Sequence, residues 1–175
     1  MERWRKLDER PAFEGRWRRV VTRRFERPDG SIGEYEVKAE EPIAAVLALT
    51  PEQEVVLVRE FRVGPEEVLL ELPGGALDDG ESAEHSIRRE LLEETGYEGE
   101  LEHVAELLDD AYSTRVKHAF VATGCRRVAE PSPHPDEFLE VVTVSLEDFR
   151  AHLRGGRLTD VDIGYRGLDH LGLLG

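Results

Sequence analysis

The stretch "GGALDDGESAEHSIRRELLEETGYE" places glutamates where a helix is expected to face the protein interior. On a helix that turns about 100° per residue, Ala83, Ile87 and Leu91 form an apolar stripe. Glu90 and Glu94 lie beside or inside this stripe, and as an i, i+4 pair they neighbour each other on the helix surface. The pattern therefore predicts two adjacent carboxylates on a partly buried face.

Two like charges on a half-buried face repel each other and lose hydration, so they need a compensating partner. Arg88 or Arg89 could supply part of it, in which case the helix is a solvent-facing one held by Arg–Glu pairs. A divalent cation would supply more. Hard carboxylate oxygens suit Mg²⁺ or Mn²⁺, and such sites favour phosphate chemistry. From the helix alone, both interpretations stay open.

The elements that must position these residues follow a mixed α+β order. Ser82 is the predicted N-cap of the helix, and Gly96 is its predicted left-handed end. A hairpin is predicted around "PDGS" near the N-terminus, and a second one joins "IAAVLAL" to "VVLVREF". Further strands are predicted at "EVLLELP", "HVAELL", "KHAFVATG" and "LEVVTVS". Helices are predicted from Ser145 to about Leu153 and within "TDVDIGYRGLDHLGLL".

Composition bounds the class of protein. The 175 residues fit one soluble domain, without an apolar run long enough to cross a membrane and without a secretory signal. Cys125 is the single cysteine, which excludes internal disulfides and a cysteine-based zinc site. These features favour the cytoplasm. The net charge of −15 argues against a nucleic-acid partner, because phosphates require a basic face.

The charge is unevenly distributed. Residues 1–30 carry ten Arg and Lys against six acids, whereas residues 75–110 carry thirteen acids against two arginines. Such a run is commonly a solvated acidic surface, but it could also be an acidic pocket that recruits cations.

The surrounding spacing resembles the Nudix box, G-x5-E-x7-R-E-U-x-E-E-x-G-U, where U is a bulky apolar residue. Leu91 fills the first apolar slot, and Tyr97 fills the second in place of an aliphatic residue. All seven fixed positions are present: Gly75, Glu81, Arg89, Glu90, Glu93, Glu94 and Gly96. The chain is therefore identified from its sequence as resembling the Nudix hydrolases.

This resemblance implies an α/β/α sandwich on a mixed central sheet, with an added N-terminal antiparallel hairpin. Residues 1–40 would form N-terminal strands for dimerisation and base binding, and residues 41–175 the catalytic domain. It also implies hydrolysis of a nucleoside diphosphate linked to another group, with Mg²⁺ or Mn²⁺ as cofactor. The ion would bridge phosphate oxygens, neutralise developing charge and activate water.

The resemblance also assigns roles within the box. Glu90 and Glu94 would be the main metal ligands, and Glu93 a further ligand or a catalytic support. Arg89 would orient the glutamates. Glu81 would act through water or from behind the ligands, and the backbone carbonyl of Gly74 would complete the metal shell.

Outside the box, "VVLVREFRVGPEEVLLELPGG" resembles the ADP-ribose and nucleotide-sugar pyrophosphatase branch. By that resemblance Arg62 would contact phosphate and Glu71 would lie close to metal and substrate. Glu137 would be the general base, with Glu140 or Glu93 as alternatives. An exposed loop acid without a catalytic role is an equal interpretation of Glu137.

Two features leave the substrate open. Tyr112 occupies a position where members that hydrolyse ADP-ribose often carry Pro, and Tyr there resembles the dinucleoside-polyphosphate branch. It could stack on a base or pack in the protein. The branch usually dimerises through N-terminal strands, and Trp17, Phe25 and Tyr35 could contact a base or anchor their own hairpin. His118 and His134 lack a partner at metal-ligand spacing.

The expected activity is metal-dependent cleavage of ADP-ribose or a related nucleotide sugar by a homodimer that binds neither nucleic acid nor membrane. The alternatives are a dinucleoside polyphosphate hydrolase and a non-catalytic module that senses nucleotides. Such modules tend to lose box carboxylates, whereas this chain keeps all of them.

Overall fold

A computed structural model describes all residues from Met1 to Gly175. The chain forms two compact units: Met1–Pro42 with Leu108–Val116, and Ile43–Leu107 with Lys117–Gly175. The strands are β1 (Arg5–Glu14), β2 (Arg19–Glu26), β3 (Ile32–Lys38), β4 (Ile43–Leu49), β5 (Glu54–Arg62), β6 (Glu67–Glu71), β7 (Gly74–Ala76), β8 (Tyr97–Leu108), β9 (Val116–Arg127) and β10 (Leu139–Ser145). The helices are α1 (Ala83–Thr95), α2 (Leu146–Gly155) and α3 (Val161–His170).

The first unit is built on an antiparallel sheet in the order β1-β2-β3. The hairpin predicted around "PDGS" is confirmed as β2 and β3. Strand β1 was not predicted, because its sequence "RKLDERPAFE" lacks the apolar alternation that marks a half-buried strand. It is almost wholly exposed and is held to its neighbours partly by ion pairs, such as Arg23 with Glu9 and Arg24 with Asp8.

Residues 108–116 belong to this first unit through contacts that the sequence did not indicate. The backbone N–H of Lys38 donates to the carbonyl of Tyr112 at 2.7 Å. The buried Glu40 carboxylate accepts from the Ser113 hydroxyl at 2.9 Å and lies 3.5 Å from the Arg115 guanidinium. A segment distant in sequence is thus fixed to the N-terminal strands by polar contacts.

The second unit contains a seven-stranded mixed sheet in the order β10-β5-β4-β9-β8, with β6 beside β5 and β7 beside β4. Strands β4 and β9 are parallel, whereas β4 is antiparallel to β5 and β7. The predicted β4–β5 hairpin is confirmed, but only Ala48–Val56 and Leu49–Val55 pair across it. The rest of that edge of β4 pairs with β7, whose "GGA" sequence is typical of a turn.

Apolar residues pack on both faces of this sheet, which confirms the predicted three-layer sandwich. On one face, Ile87 and Leu91 of α1 pack against alternate residues of β4, such as Ala44 and Val46. On the other face, α2 and α3 cover the intervening residues. That larger cluster includes Leu47, Leu57, Phe149, Leu153, Ile163 and Leu168, each at most 2% exposed. The two-residue period of β4 therefore separates the two cores.

The predicted ends of α1 and the predicted start of α2 at Ser145 are confirmed, whereas α2 extends to Gly155 instead of ending near Leu153. The Ser82 side chain accepts from the backbone N–H of His85, and Ser145 accepts from that of Asp148. Gly96 ends α1 with φ 75°, and its N–H donates to the carbonyl of Leu92. The predicted C-terminal helix is confirmed as α3. No helix in the chain has the length and apolar character needed to cross a membrane.

Gly96→Ala is expected to lower the free energy of unfolding by about 3 kcal/mol, since two costs combine. The residue has a left-handed backbone, and an added Cβ would lie 2.1 Å from the carbonyl oxygen of Ala129. Gly156→Ala is the matched control, because Gly156 has φ 65° with no atom within 4 Å of the added Cβ. Urea unfolding should give about 1 kcal/mol for the control. Equal losses would contradict the role of the Ala129 contact.

Candidate active site

Glu94 is the most buried carboxylate of α1. The residue is 6% exposed, and its Oε2 accepts a hydrogen bond from the backbone N–H of Gly74 at 2.9 Å. No arginine or lysine forms an ion pair with it. Burial raises the pKa of Glu94 to about 8, and the negative charges of Glu90 and Glu137 add to this effect. This helix position therefore holds a desolvated carboxyl group without a cationic partner.

Glu90 lies one helical turn earlier and reaches the same β7 turn. A Cβ added to Gly75 would lie 2.7 Å from its Oε1, so only glycine leaves room for this carboxylate. Its side chain is 13% exposed. Burial raises the pKa of Glu90, although the nearby Arg89 guanidinium opposes the shift. Gly74 thus donates a hydrogen bond to the Glu94 carboxylate, and the neighbouring Gly75 leaves room for the Glu90 carboxylate.

Arg89 joins three of the box glutamates. Its Nε and Nη2 donate to both oxygens of Glu81, at 3.2 and 3.0 Å. Its Nη1 donates to Glu90 at 2.9 Å and to Glu93 at 3.1 Å. The guanidinium lowers the pKa of Glu81 to about 2. The interpretation of α1 as a helix held by Arg–Glu pairs therefore accounts for Glu81, Glu90 and Glu93, but not for Glu94.

The donor set suits a divalent metal ion. No three acidic, histidine or cysteine side chains converge closely enough to hold an ion by themselves. A site here would therefore combine Glu90 and Glu94 with a backbone carbonyl and water, as hard oxygen-preferring ions accept. The unpaired, desolvated Glu94 carboxyl is the observation that fits a cation, because a bound positive charge would offset the burial of its anion.

Arg89→Lys is expected to lower kcat by about 10- to 100-fold, because an ammonium cannot bridge Glu81, Glu90 and Glu93 as the planar guanidinium does. Arg88→Lys is the matched control on the same helix, since Arg88 forms its ion pair with the exposed Glu84 and not with a box residue. Steady-state kinetics should show the control near wild type. An Arg89→Lys enzyme with unchanged kcat would contradict the proposed bridging role.

The structure differentiates Glu137, in the loop before β10, from Glu140, which lies within that strand. The negative charge of Glu137 contributes to raising the pKa values of three carboxylates, Glu60, Glu90 and Glu94. Its Oε2 accepts from the backbone N–H of His134 at 3.0 Å. The Glu140 carboxylate instead pairs with Arg59 at 2.6 Å.

Of these three carboxylates, Glu60 is the one that the sequence analysis did not identify. It lies on β5, and burial raises its pKa. The two-residue period of β5 puts Glu60 on the same face as Val56, which packs with the α1 core. This two-residue period was visible in the sequence. It did not by itself show that Glu60 lies on the face of the sheet that α1 covers.

Arg62 and Glu71 contact each other within the second unit. Arg62 Nη1 lies 2.9 Å from Glu60, and its Nε lies 3.6 Å from Glu71 Oε1. Glu71 is 1% exposed, and its Oε2 accepts from both the N–H and the hydroxyl of Thr159. Arg62 is partly accessible, whereas Glu71 is enclosed.

Two residues predicted to bind substrate lie in the first unit. Tyr112 and Trp17 are exposed, at 57% and 72%, so neither packs in a core. The Arg16 guanidinium lies 4.6 Å from the Trp17 ring centroid. Phe25 and Tyr35 instead pack with each other and with Trp4, in line with the interpretation that they anchor their own strands.

Comparison with known proteins agrees with this geometry. The model of the NUDIX domain matches residues 40–161. An ADP-ribose pyrophosphatase of Bacillus subtilis (strain 168) is 30% identical over 87% of this chain and 84% of its own. A GDP-mannose pyrophosphatase of Cronobacter sakazakii (strain ATCC BAA-894) is 34% identical over 81% of both chains.

A solved structure described as an ADP compounds hydrolase superposes with a TM-score of 0.80. It is 20% identical, and the match covers 99% of this chain and 98% of the other. At that identity the likeness shows the fold. The family model and the Bacillus relative, together with the intact box on α1, establish that this chain belongs to the Nudix hydrolase family.

Proposed function

We propose that this chain hydrolyses the pyrophosphate bond of ADP-ribose or a related nucleotide sugar, giving a nucleoside monophosphate and a sugar phosphate. The observation that carries the proposal is the buried Glu94 carboxyl without a cationic partner, one turn from Glu90 and against the Gly74–Gly75 turn. The names of the Bacillus and Cronobacter relatives support a nucleotide-sugar substrate.

Glu90 and Glu94 would hold the metal ion, with the carbonyl of Gly74 and water completing its shell. Mg²⁺ or Mn²⁺ fits this all-oxygen set. When bound, the ion neutralises phosphate charge and makes water a stronger nucleophile. Arg89 fixes Glu90 and Glu93, and its two bonds to Glu81 hold the guanidinium in place. Glu81 as a further ligand through water remains a prediction.

Arg62 would bind a phosphate oxygen of the substrate. Its guanidinium is partly exposed and lies beside Glu60, one of the carboxylates near the proposed metal ligands. Glu137 would accept the proton of the attacking water. Glu137 lies in an exposed loop, and its negative charge contributes to raising the pKa values of Glu90 and Glu94. Direct contact of Glu71 with substrate also remains a prediction.

Glu137→Gln is expected to lower kcat by about 100-fold with little change in KM, because the amide cannot accept a proton. Glu140→Gln is the matched control, since Glu140 is occupied by Arg59. If the Glu140 variant loses activity instead, the assignment of the base is reversed. If neither does, Glu93 becomes the remaining candidate.

The N-terminal residues 1–40 would supply dimer contacts and base binding, with Trp17 as an exposed aromatic side chain for a base. Tyr112, which belongs to the same unit, would be a second one. Strand β1 exposes nearly all of its residues, as expected of a strand that a second copy covers. We also propose that the enzyme is a cytoplasmic homodimer. Sedimentation of the full chain tests whether it forms a dimer. The KM of a Trp17→Ala variant tests whether Trp17 contributes to base binding.

The function is tested by incubating the protein with Mg²⁺ or Mn²⁺ and a substrate panel. ADP-ribose, GDP-mannose, diadenosine polyphosphates and deoxynucleoside triphosphates cover the alternatives. Turnover of ADP-ribose or GDP-mannose with release of AMP or GMP is the expected result. Preferential cleavage of diadenosine polyphosphates would favour the alternative that Tyr112 suggested. Binding without turnover of any member would favour a sensing module.

A further inference from the structure

We infer that Glu71 and Thr159 are positioning residues that act through Arg62 and fix its guanidinium for the diphosphate of the substrate. The inference rests on the proposed function and extends it to residues outside the Nudix box. Arg62 is the side chain proposed to touch phosphate, and Thr159 lies in the connection between α2 and α3.

Two carboxylates flank the Arg62 guanidinium. Glu60 lies 2.9 Å from Nη1, and Glu71 Oε1 lies 3.6 Å from Nε. The Arg62 side chain is 34% exposed, although its Nε is buried and lacks a hydrogen-bond partner. Glu71 Oε1 is likewise buried without one. Each buried atom is therefore the natural partner of the other, and a small shift of the guanidinium would join them.

Thr159 holds Glu71 in this orientation. Glu71 Oε2 accepts from the backbone N–H of Thr159 at 3.0 Å and from its hydroxyl at 2.6 Å. Because both bonds go to one oxygen, the other oxygen is left to face Arg62. With 1% of Glu71 exposed, this carboxylate is placed to act through Arg62.

Thr159 is in turn fixed to the sheet on both sides along the chain. Leu158 is 5% exposed within the larger core. Asp160 pairs with the buried Lys117 of β9, Nζ to Oδ1 at 3.4 Å. A series of contacts therefore connects β9 and the α2–α3 connection to the partly exposed guanidinium of Arg62. It runs from Lys117 to Asp160, along the backbone to Thr159, and through Glu71 to Arg62.

The physical consequence is preorganisation. A free arginine loses side-chain entropy when it binds phosphate, and a bonded carboxylate behind it reduces that loss. The Glu71 side chain, 3.6 Å from Arg62 Nε, also keeps the guanidinium from turning away from the diphosphate. Loss of the Thr159 hydroxyl should therefore weaken diphosphate binding without affecting the box residues on α1.

The test measures binding of ADP-ribose in EDTA by calorimetry, so that no hydrolysis occurs. Thr159→Val is expected to weaken binding about threefold and Glu71→Gln about tenfold. Thr159→Ser is the matched control, because it keeps the hydroxyl, and it should stay within about twofold of wild type. In Mg²⁺, Thr159→Val should raise KM by a similar factor with kcat nearly unchanged.

A double-mutant cycle then distinguishes action through Arg62 from a general structural role. In an Arg62→Ala background, Thr159→Val and Glu71→Gln should cause no further loss of binding. Additive losses would overturn the inference alone, as would a Thr159→Ser protein as weak as Thr159→Val. A wild-type protein that neither binds ADP-ribose nor cleaves any nucleotide sugar would overturn the proposed function and this inference with it.

Discussion

Replacement of Glu94 by Gln is expected to lower kcat on the order of 10³-fold while leaving the fold intact. Glu94 is enclosed between α1 and the β7 turn, so the amide fits the same space. The amide cannot balance a divalent cation, although it keeps an oxygen to accept from the N–H of Gly74. Loss of charge at this position should therefore remove activity and metal affinity together.

The same substitution is expected to stabilise the metal-free protein. Burial holds the pKa of Glu94 near 8, above its unfolded value of 4.5. A raised folded pKa means that stability is complete below about pH 4.5 and is lost as pH rises through 8. Wild type should therefore weaken across this window, whereas the Gln variant should not. At pH 7 the variant should be more stable on the order of 3 kcal/mol.

Urea unfolding in EDTA at pH 5, 7 and 8, together with Mn²⁺ titration, measures both effects. Glu84→Gln is the control, because Glu84 lies on the same helix and is exposed beside Arg88. Mn²⁺ should raise the melting temperature of wild type and of the control, but not of the Glu94 variant. A Glu94→Gln enzyme with wild-type turnover would reject its assignment as a ligand.

Lys117→Met is expected to lower the free energy of unfolding by about 4 kcal/mol at pH 8. Lys117 is 6% exposed, and its Nζ lies 2.7 Å from Asp162 and 3.4 Å from Asp160. Burial alone would lower the pKa of Lys117, but the two aspartates raise it overall, so the lysine is charged. Its removal leaves the mostly buried Asp160 carboxylate without a cation.

The loss should depend on pH with a defined sign. Burial already raises the pKa of Asp160 against the opposing charge of Lys117, and removal of the lysine raises it further. Because the folded pKa exceeds the unfolded one, stability is retained at low pH and lost as pH rises. The variant should therefore lose less at pH 5 than at pH 8. Lys117→Met with Asp160→Asn should recover most of the loss, and failure to recover would contradict the ion-pair explanation.

The Lys117 pair also shows why one helix cap could not be predicted. Asp160 occupies the N-cap position of α3 but makes no capping hydrogen bond. Its carboxylate points instead to a lysine 43 residues earlier in the chain. Ser82 caps α1 as predicted, and Ser145 caps α2 where that helix was predicted to begin, because each donor lies three residues away. Local partners can be read from the sequence, whereas partners distant along the chain compete with them in ways that depend on packing.

Strand pairing follows the same division. The runs that became β4 and β5 were predictable, because continuous Val, Leu and Ala residues demand burial. Strands β1 and β7 were not predicted, since one is charged on both faces and the other is mostly glycine. Their conformation depends largely on backbone hydrogen bonds to β2 and β4, and such bonds leave no pattern in the sequence of side chains.

The sequence by itself determined the family, the helix α1 with its caps, and the glutamates that line its inner arc. These follow from residue spacing along one helix, where geometry is fixed by local backbone bonds. Only the tertiary structure showed that Glu94 is the box glutamate without a cationic partner and that Glu60 lies near the other carboxylates. It also showed that Thr159 binds Glu71 beside Arg62. Burial and charge compensation arise from residues far apart in sequence, so they exist only once the sheet and helices have packed.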